Sequence, residues 1–81
     1  MNEKQKEILK IVQDHCINGK ELDLTDIMKL SDSLTMPELL EAIPILGNQG
    51  YIEVIEIDLC CGADYIVTGI TEKAMFLLNS R

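Results

Sequence analysis

The stretch TMPELLEAIPILGNQGY, residues 35–51, carries the strongest local signals in this sequence. Thr35 followed three residues later by Glu38 forms a capping box, which predicts that a helix begins here. Leu34 before the cap and Leu39 after it have the spacing of a hydrophobic staple. Together these signals predict a helix that starts at residue 36.

Two prolines in this stretch bear on how far the helix extends. Pro37 falls in the first turn, where its missing N–H costs little. Pro44 lies deeper, where it removes a hydrogen bond and clashes with the carbonyl of Leu40, at roughly 3 kcal/mol. We therefore expect a kink or an early end near residue 43. At 100° per residue, the predicted core face consists of Met36, Leu39, Leu40, Ile43 and Leu46.

Two helices are predicted upstream of this stretch. Residues 3–17 have helical apolar spacing, and Asn18-Gly19 is a stop signal, with Gly19 suited to the left-handed position after the last turn. Residues 20–22 predict a short extended link, and Asp23 can cap a second helix, LTDIMKL. The predicted inward residues are Ile8, Leu9, Val12 and Cys16 in the first helix, and Leu24, Ile27 and Met28 in the second.

A hairpin and a last helix are predicted downstream. YIEVIEIDL and ADYIVTGI are rich in β-branched and aromatic residues, as strands are. Cys60-Cys61-Gly62 lies between them and is the predicted tip, and Thr71 can cap the helix EKAMFLLNS. The alternation typical of a half-buried strand places Ile55, Ile57 and Leu59 inward, and Glu56 and Asp58 outward.

This order, with two local phrases, resembles the winged helix-turn-helix family. LGNQGYIEV is similar to the end of the family's third helix running into the first wing strand, and YIVTGITEKAMFLL to the second wing strand and the following helix start. The resemblance covers roughly residues 3–80 and departs at Ala74, where the family often has Gly. It implies an α+β winged helix: a three-helix core, a C-terminal β-hairpin wing and a fourth terminal helix.

Composition fits a single domain, residues 1–81, with an aliphatic core. The chain has 47% apolar residues, 4% aromatic residues, and a net charge of −7 with a pI near 4.4. Such acidity disfavours loose attraction to nucleic acid or anionic membrane. We expect no signal peptide and no membrane span, and three cysteines fit reduced thiols. The expected location is cytoplasmic.

The family uses its third helix to enter the major groove of DNA and its wing to touch the backbone. Here no base occurs between Lys29 and Lys73, an interval with eight acids that includes the predicted wing. Phosphate neutralisation supplies nearly all non-specific affinity for DNA, so this surface lacks that contribution. Carried over from the family, the partner or DNA face of the third helix consists of Pro37, Glu38, Glu41, Pro44, Ile45 and Asn48.

Two hypotheses follow for the function. The first is a regulatory module that acts through protein–protein interaction or dimerisation, since Pro37, Pro44 and Ile45 form an outward apolar patch rimmed by acids. The alternative is a sequence-specific DNA-binding transcriptional regulator, with Asn48 as the typical base-reading side chain. The family also often forms homodimers through terminal helices, and the apolar run from Ala74 to Leu78 is wider than a one-sided helix needs, which fits either such a dimer or a helix that packs across a thin core.

Enzymatic chemistry is not expected. His15-Cys16 and Cys60-Cys61 lack zinc-ligand spacing, which predicts no metal site. Cys60 and Cys61 fit either a redox role or a plain hairpin tip, and the tip is favoured because no nearby base in the sequence would lower a thiol pKa. No phosphate loop, dinucleotide fingerprint or Ser/His/Asp pattern is present, so the sequence predicts no cofactor.

Overall fold

Four helices and a three-stranded antiparallel sheet make up the computed structural model, which describes residues 2–16, 19–60 and 62–79. This confirms the predicted α+β class and the order of three helices, a hairpin and a fourth helix. The elements are α1 (Glu3–His15), β1 (Leu22–Asp23), α2 (Leu24–Leu30), α3 (Met36–Asn48), β2 (Ile52–Leu59), β3 (Gly62–Ile70) and α4 (Glu72–Asn79).

The predicted helix starts are confirmed. At α2, the backbone N–H of Asp26 donates to the Asp23 carboxylate at 2.7 Å. At α3, the Thr35 backbone N–H donates to the Glu38 carboxylate at 3.0 Å. At α4, the Ala74 N–H donates to the Thr71 hydroxyl at 3.3 Å, and that hydroxyl lies 2.6 Å from the Gly50 carbonyl oxygen. The caps thus fix where three helices begin.

The core lies where α1, α2 and α3 pack together and onto the sheet. Helix α1 supplies Ile8, Leu9, Ile11 and Val12, of which Ile11 was absent from the predicted inward set. Predicted Cys16 and Met28 pack against the core while remaining half-buried. The other core residues are Leu22, Leu24, Ile27, Leu34, Leu39, Ile43, Leu46, Ile52, Val67 and Ala74.

Two expectations for α3 are wrong. Of the expected kink or early end near residue 43, the early end is wrong, because the helix continues through Pro44 to Asn48. Leu40 does not join the core, since 40% of its surface is exposed. Fully buried Ile43 and Leu46, on either side of Pro44, hold the helix in place.

The sheet has the order β1-β3-β2, with β3 in the centre. The predicted extended link at residues 20–22 overlaps β1 at Leu22, which pairs with Val67 of β3. A bulge lies between Glu53 and Val54 where β2 pairs with β3. In the predicted hairpin tip, Cys60 lies in a turn and Gly62 already pairs with β2. Cys61 of the tip and Asn18 of the predicted helix stop lie outside the described residues.

The expected inward face of β2 is wrong. Ile55 is 52% exposed and Leu59 is 55% exposed, while Ile57 is half-buried. The structure is elongated, with extents of 42 × 25 × 21 Å, and among the hairpin residues that the structure describes only Ile52 and Val67, at the base, are buried. The outer part of the hairpin therefore presents both of its faces to solvent.

Candidate interaction surface

The outward side of α3 contains the six residues predicted for it. Pro37, Glu41, Ile45 and Asn48 are exposed, and Glu38 and Pro44 are half-buried. Exposed Leu40, which the helical count had assigned to the core, enlarges the apolar part of this surface. We call the surface formed by these seven residues the α3 face.

Glu38 is already engaged by groups from its own chain. Its carboxylate accepts the Thr35 hydroxyl at 2.9 Å as well as the backbone N–H of the cap, and it forms an ion pair with Lys4 of α1. A lysine of α1 is therefore held by an acid of the α3 face. The effect is to neutralise that acid locally, without providing a base that could bind phosphate.

Another acid of α1 fixes the connection that leads into α3. The Glu7 carboxylate accepts hydrogen bonds from the hydroxyls of Ser31 and Ser33, the latter at 3.2 Å. Ser31 in turn accepts the Leu34 backbone N–H at 3.1 Å, directly before the α3 cap. These contacts hold the start of the α3 face against α1.

An open groove runs between α3 and β2. Its volume is about 530 Å³. Glu53 and Glu56 lie on its hairpin side. Lys73, the first base after Lys29 in the sequence, does not line the groove. The Lys73 ammonium donates to the Gln49 carbonyl oxygen at 2.8 Å and lies 4.7 Å from the centre of the Tyr51 ring. The groove is lined by Pro44, Gly47, Asn48, Ile52, Glu53, Val54, Glu56 and Tyr65.

Gly47 decides how closely α3 approaches β2. A Cβ atom at this position would lie 2.7 Å from Cγ1 of Val54, closer than real Cβ contacts allow. The sequence patterns described above assign this glycine no role. A glycine within a predicted helix is a general signal of close backbone approach, but it does not identify the neighbour.

Helix α4 leaves a second apolar surface exposed. Phe76 is 78% exposed, Leu77 is exposed to a lesser degree, and Met75 is half-buried. Ala74 alone of the run from residue 74 to residue 78 is buried, where α4 packs against α1. An open depression of about 410 Å³ is lined by Glu72, Met75, Phe76 and Asn79.

Cys16 lies half-buried against the core. Burial raises the pKa of the Cys16 thiol, and nearby Glu21 raises it further, so the group stays protonated at neutral pH. Its sulfur lies 3.6 Å from the Val67 carbonyl oxygen, a weak hydrogen bond. Within residues 2–16, 19–60 and 62–79, no group of three or more His, Cys, Asp or Glu side chains could hold a metal ion.

Comparison with known proteins gives no relative. The chain matches no protein-family model, no curated protein and no solved structure. Among the residues that the structure describes, no helix has both the length and the apolar character needed to cross a bilayer.

Proposed function

We propose that the chain is a winged-helix regulatory module whose α3 face binds a protein and not DNA. The order of α1, α2, α3, hairpin and α4 supports the winged-helix assignment, with β2 and β3 as the wing. The observation that carries the function is the chemistry of the α3 face. Exposed Leu40 and Ile45, 40% and 39% accessible, accompany two prolines and exposed Glu41, where a DNA reader would have cations.

The partner surface that fits the α3 face is apolar with a basic rim. Leu40, Pro44 and Ile45 supply side chains for hydrophobic contact, which non-directional burial stabilises. Glu41 on the helix and Glu53 and Glu56 across the groove supply negative charge at the margin. Charges placed in this way govern orientation and association rate more than affinity.

Titration of labelled DNA duplexes tests the exclusion of DNA. At ~50 mM salt we expect a dissociation constant no tighter than the ~10⁻⁴–10⁻⁶ M of non-specific binders, with little change at ~200 mM. The physical reason is that no base on α3 or the wing releases counterions. Nanomolar binding that collapses between the two salt concentrations would support the DNA-binding alternative and refute the proposal.

Site-directed photo-crosslinking in cells tests the protein-binding part. A photo-reactive residue at Ile45 should yield discrete protein adducts, because this side chain lies in the α3 face. The matched control places the same residue at Asp14, which is exposed on α1. Identical adducts at both positions, or adducts with DNA at position 45, would contradict the proposed role.

The exposed surface of α4 also favours a homodimer as part of this function. Burial of Phe76 against a second copy would remove a large aromatic side chain from water, and such anchors dominate interface energies. We expect light scattering to show a dimer that Phe76→Glu converts to monomer. Leu40→Glu, the same kind of change on α3, should leave the dimer intact. Monomer at millimolar chain concentration would remove the homodimer.

A further inference from the structure

Strand β2 forms an edge of the sheet. In the order β1-β3-β2 its eight residues pair with β3 on one side, and no described strand lies on the other. An edge strand exposes a row of backbone N–H and C=O groups that can pair with another chain. Between Glu53 and Val54 the register shifts by one residue, with Thr68 of β3 as the extra residue, and from Val54 to Leu59 the pairing with β3 is regular.

The two faces of this regular part differ in chemistry. Ile55, Ile57 and Leu59 share one face, since residues two apart on a strand point the same way. Glu56 and Asp58 share the other, which at its base borders the α3–β2 groove. Cross-strand pairing of Ile55 with Ile66 extends the apolar face onto β3. We call residues 55–59 of β2 the edge segment.

The acidic side chains of the edge segment favour a basic partner strand over a second copy of this chain. A second copy paired edge to edge would bring the Glu56 and Asp58 carboxylates of both chains together, and like charges across strands are destabilising. The hairpin has no lysine or arginine that could offset this repulsion. A strand with basic residues on that face and apolar residues on the other complements both faces of the edge segment.

We propose that the edge segment binds an extended segment of another protein in which apolar residues alternate with lysine or arginine. The bound segment adds a fourth strand next to β2. Its apolar side chains lie beside Ile55, Ile57 and Leu59, and its basic side chains lie beside Glu56 and Asp58. This goes beyond the function proposed above because it uses the backbone edge of β2, shares only Glu56 with the margin of the α3–β2 groove, and holds whether or not the α3 face binds a protein.

Two synthetic peptides of identical composition test the proposal. One is a capped, fluorescent octapeptide of alternating valine and lysine, and the other has the four valines and four lysines in separate blocks. Only the alternating peptide can match both faces of the edge segment in an extended conformation. In fluorescence anisotropy we expect it to bind at least about tenfold more tightly than the block peptide.

Charge-reversed variants locate the binding. Glu56→Lys with Asp58→Lys should weaken binding of the alternating peptide at least about tenfold. Glu3→Lys with Asp32→Lys makes the same change in net charge at exposed positions outside the hairpin and should alter affinity less than about threefold. The peptide affinity of the milder double variant, Glu56→Gln with Asp58→Asn, should fall between the affinities of the two double-lysine variants. This variant keeps the test valid if charge reversal impairs folding.

Hydrogen exchange and light scattering complete the experiment. Binding should slow exchange of β2 amides that point away from β3, because they become hydrogen-bonded to the peptide. Equal affinity for both peptides, or an equal loss in both double-lysine variants, would overturn the proposal. A homodimer that dissociates on Glu56→Lys with Asp58→Lys would also overturn it, by showing that a second copy occupies the edge. Ile45→Lys on the α3 face should leave peptide affinity unchanged, which separates this result from the fate of the proposed function.

Discussion

Leu39→Ala should lower the free energy of unfolding by about 2–5 kcal/mol, the range for a fully buried leucine that leaves a cavity. Leu39 is 0% exposed and packs in the core beside the α3 cap. The loss is large for a chain of 81 residues, since domains of this size have only about 5–10 kcal/mol of stability. The midpoint of thermal unfolding should fall by about 10–40 °C.

Leu40→Ala is the matched control for this substitution. It removes the same atoms from the next residue of the same helix, but its side chain is 40% exposed, so we expect a loss below about 1 kcal/mol. Chemical denaturation of both variants measures the difference. Equal losses would show that Leu40 is as well packed as Leu39 and would restore the core face expected from the helical count.

The positions where α2, α3 and α4 start could be predicted because each depends on residues close together in the chain. Asp23 with Asp26, and Thr35 with Glu38, are three residues apart, so the sequence displays the whole interaction. Glycines at positive φ are equally local: Gly50 directly follows the α3 C-cap Gln49 and has φ of 82°, and Gly19, in the connection between α1 and β1, has φ of 79°.

Contacts between distant elements could not be predicted in this way. The count at 100° per residue places Leu40 at the margin of the α3 core face, and whether such a residue is covered depends on what packs beside it. Strand alternation likewise distinguishes the two faces of β2, but it does not show which face the helices cover. The alternation therefore predicted Ile55 and Leu59 to be inward, although buried Ile52 and groove-lining Val54 place the even-numbered residues of β2 on the helix side, which leaves Ile55 and Leu59 on the opposite face.

The α3 face and the β2 edge likewise combine features that a local pattern predicts with contacts between distant parts of the chain. Six of the seven residues of the α3 face were predicted from one helix, and all six are exposed or half-buried. The ion pair of Lys4 with Glu38 joins α1 to α3, and the edge position of β2 follows from β1 pairing with β3. Both depend on long-range pairing, which no local pattern in the sequence specifies.

Gly47→Ala should destabilise the protein by about 1–3 kcal/mol, the usual range for overpacking. Alanine is a better helix former than glycine by about 1 kcal/mol, so helix propensity alone predicts the opposite sign. The structure favours a loss because the new Cβ would lie 2.7 Å from Cγ1 of Val54. Val54 cannot easily turn away, since β-branched side chains have restricted χ1 rotamers.

A double-mutant cycle with Val54→Ala isolates this contact. Removing Cγ1 leaves space for the alanine, so in the Val54→Ala background Gly47→Ala should become neutral or stabilising by up to about 1 kcal/mol. Gly50→Ala is the control: Gly50 has φ of 82° and open space where a Cβ would lie, so its cost arises from the backbone and should not change with Val54. Additive effects of Gly47→Ala and Val54→Ala within about 0.5 kcal/mol would show that α3 and β2 do not meet at this pair. The predicted change of sign would establish that the missing side chain at Gly47 sets the spacing between α3 and β2, and with it the width of the groove beside the α3 face.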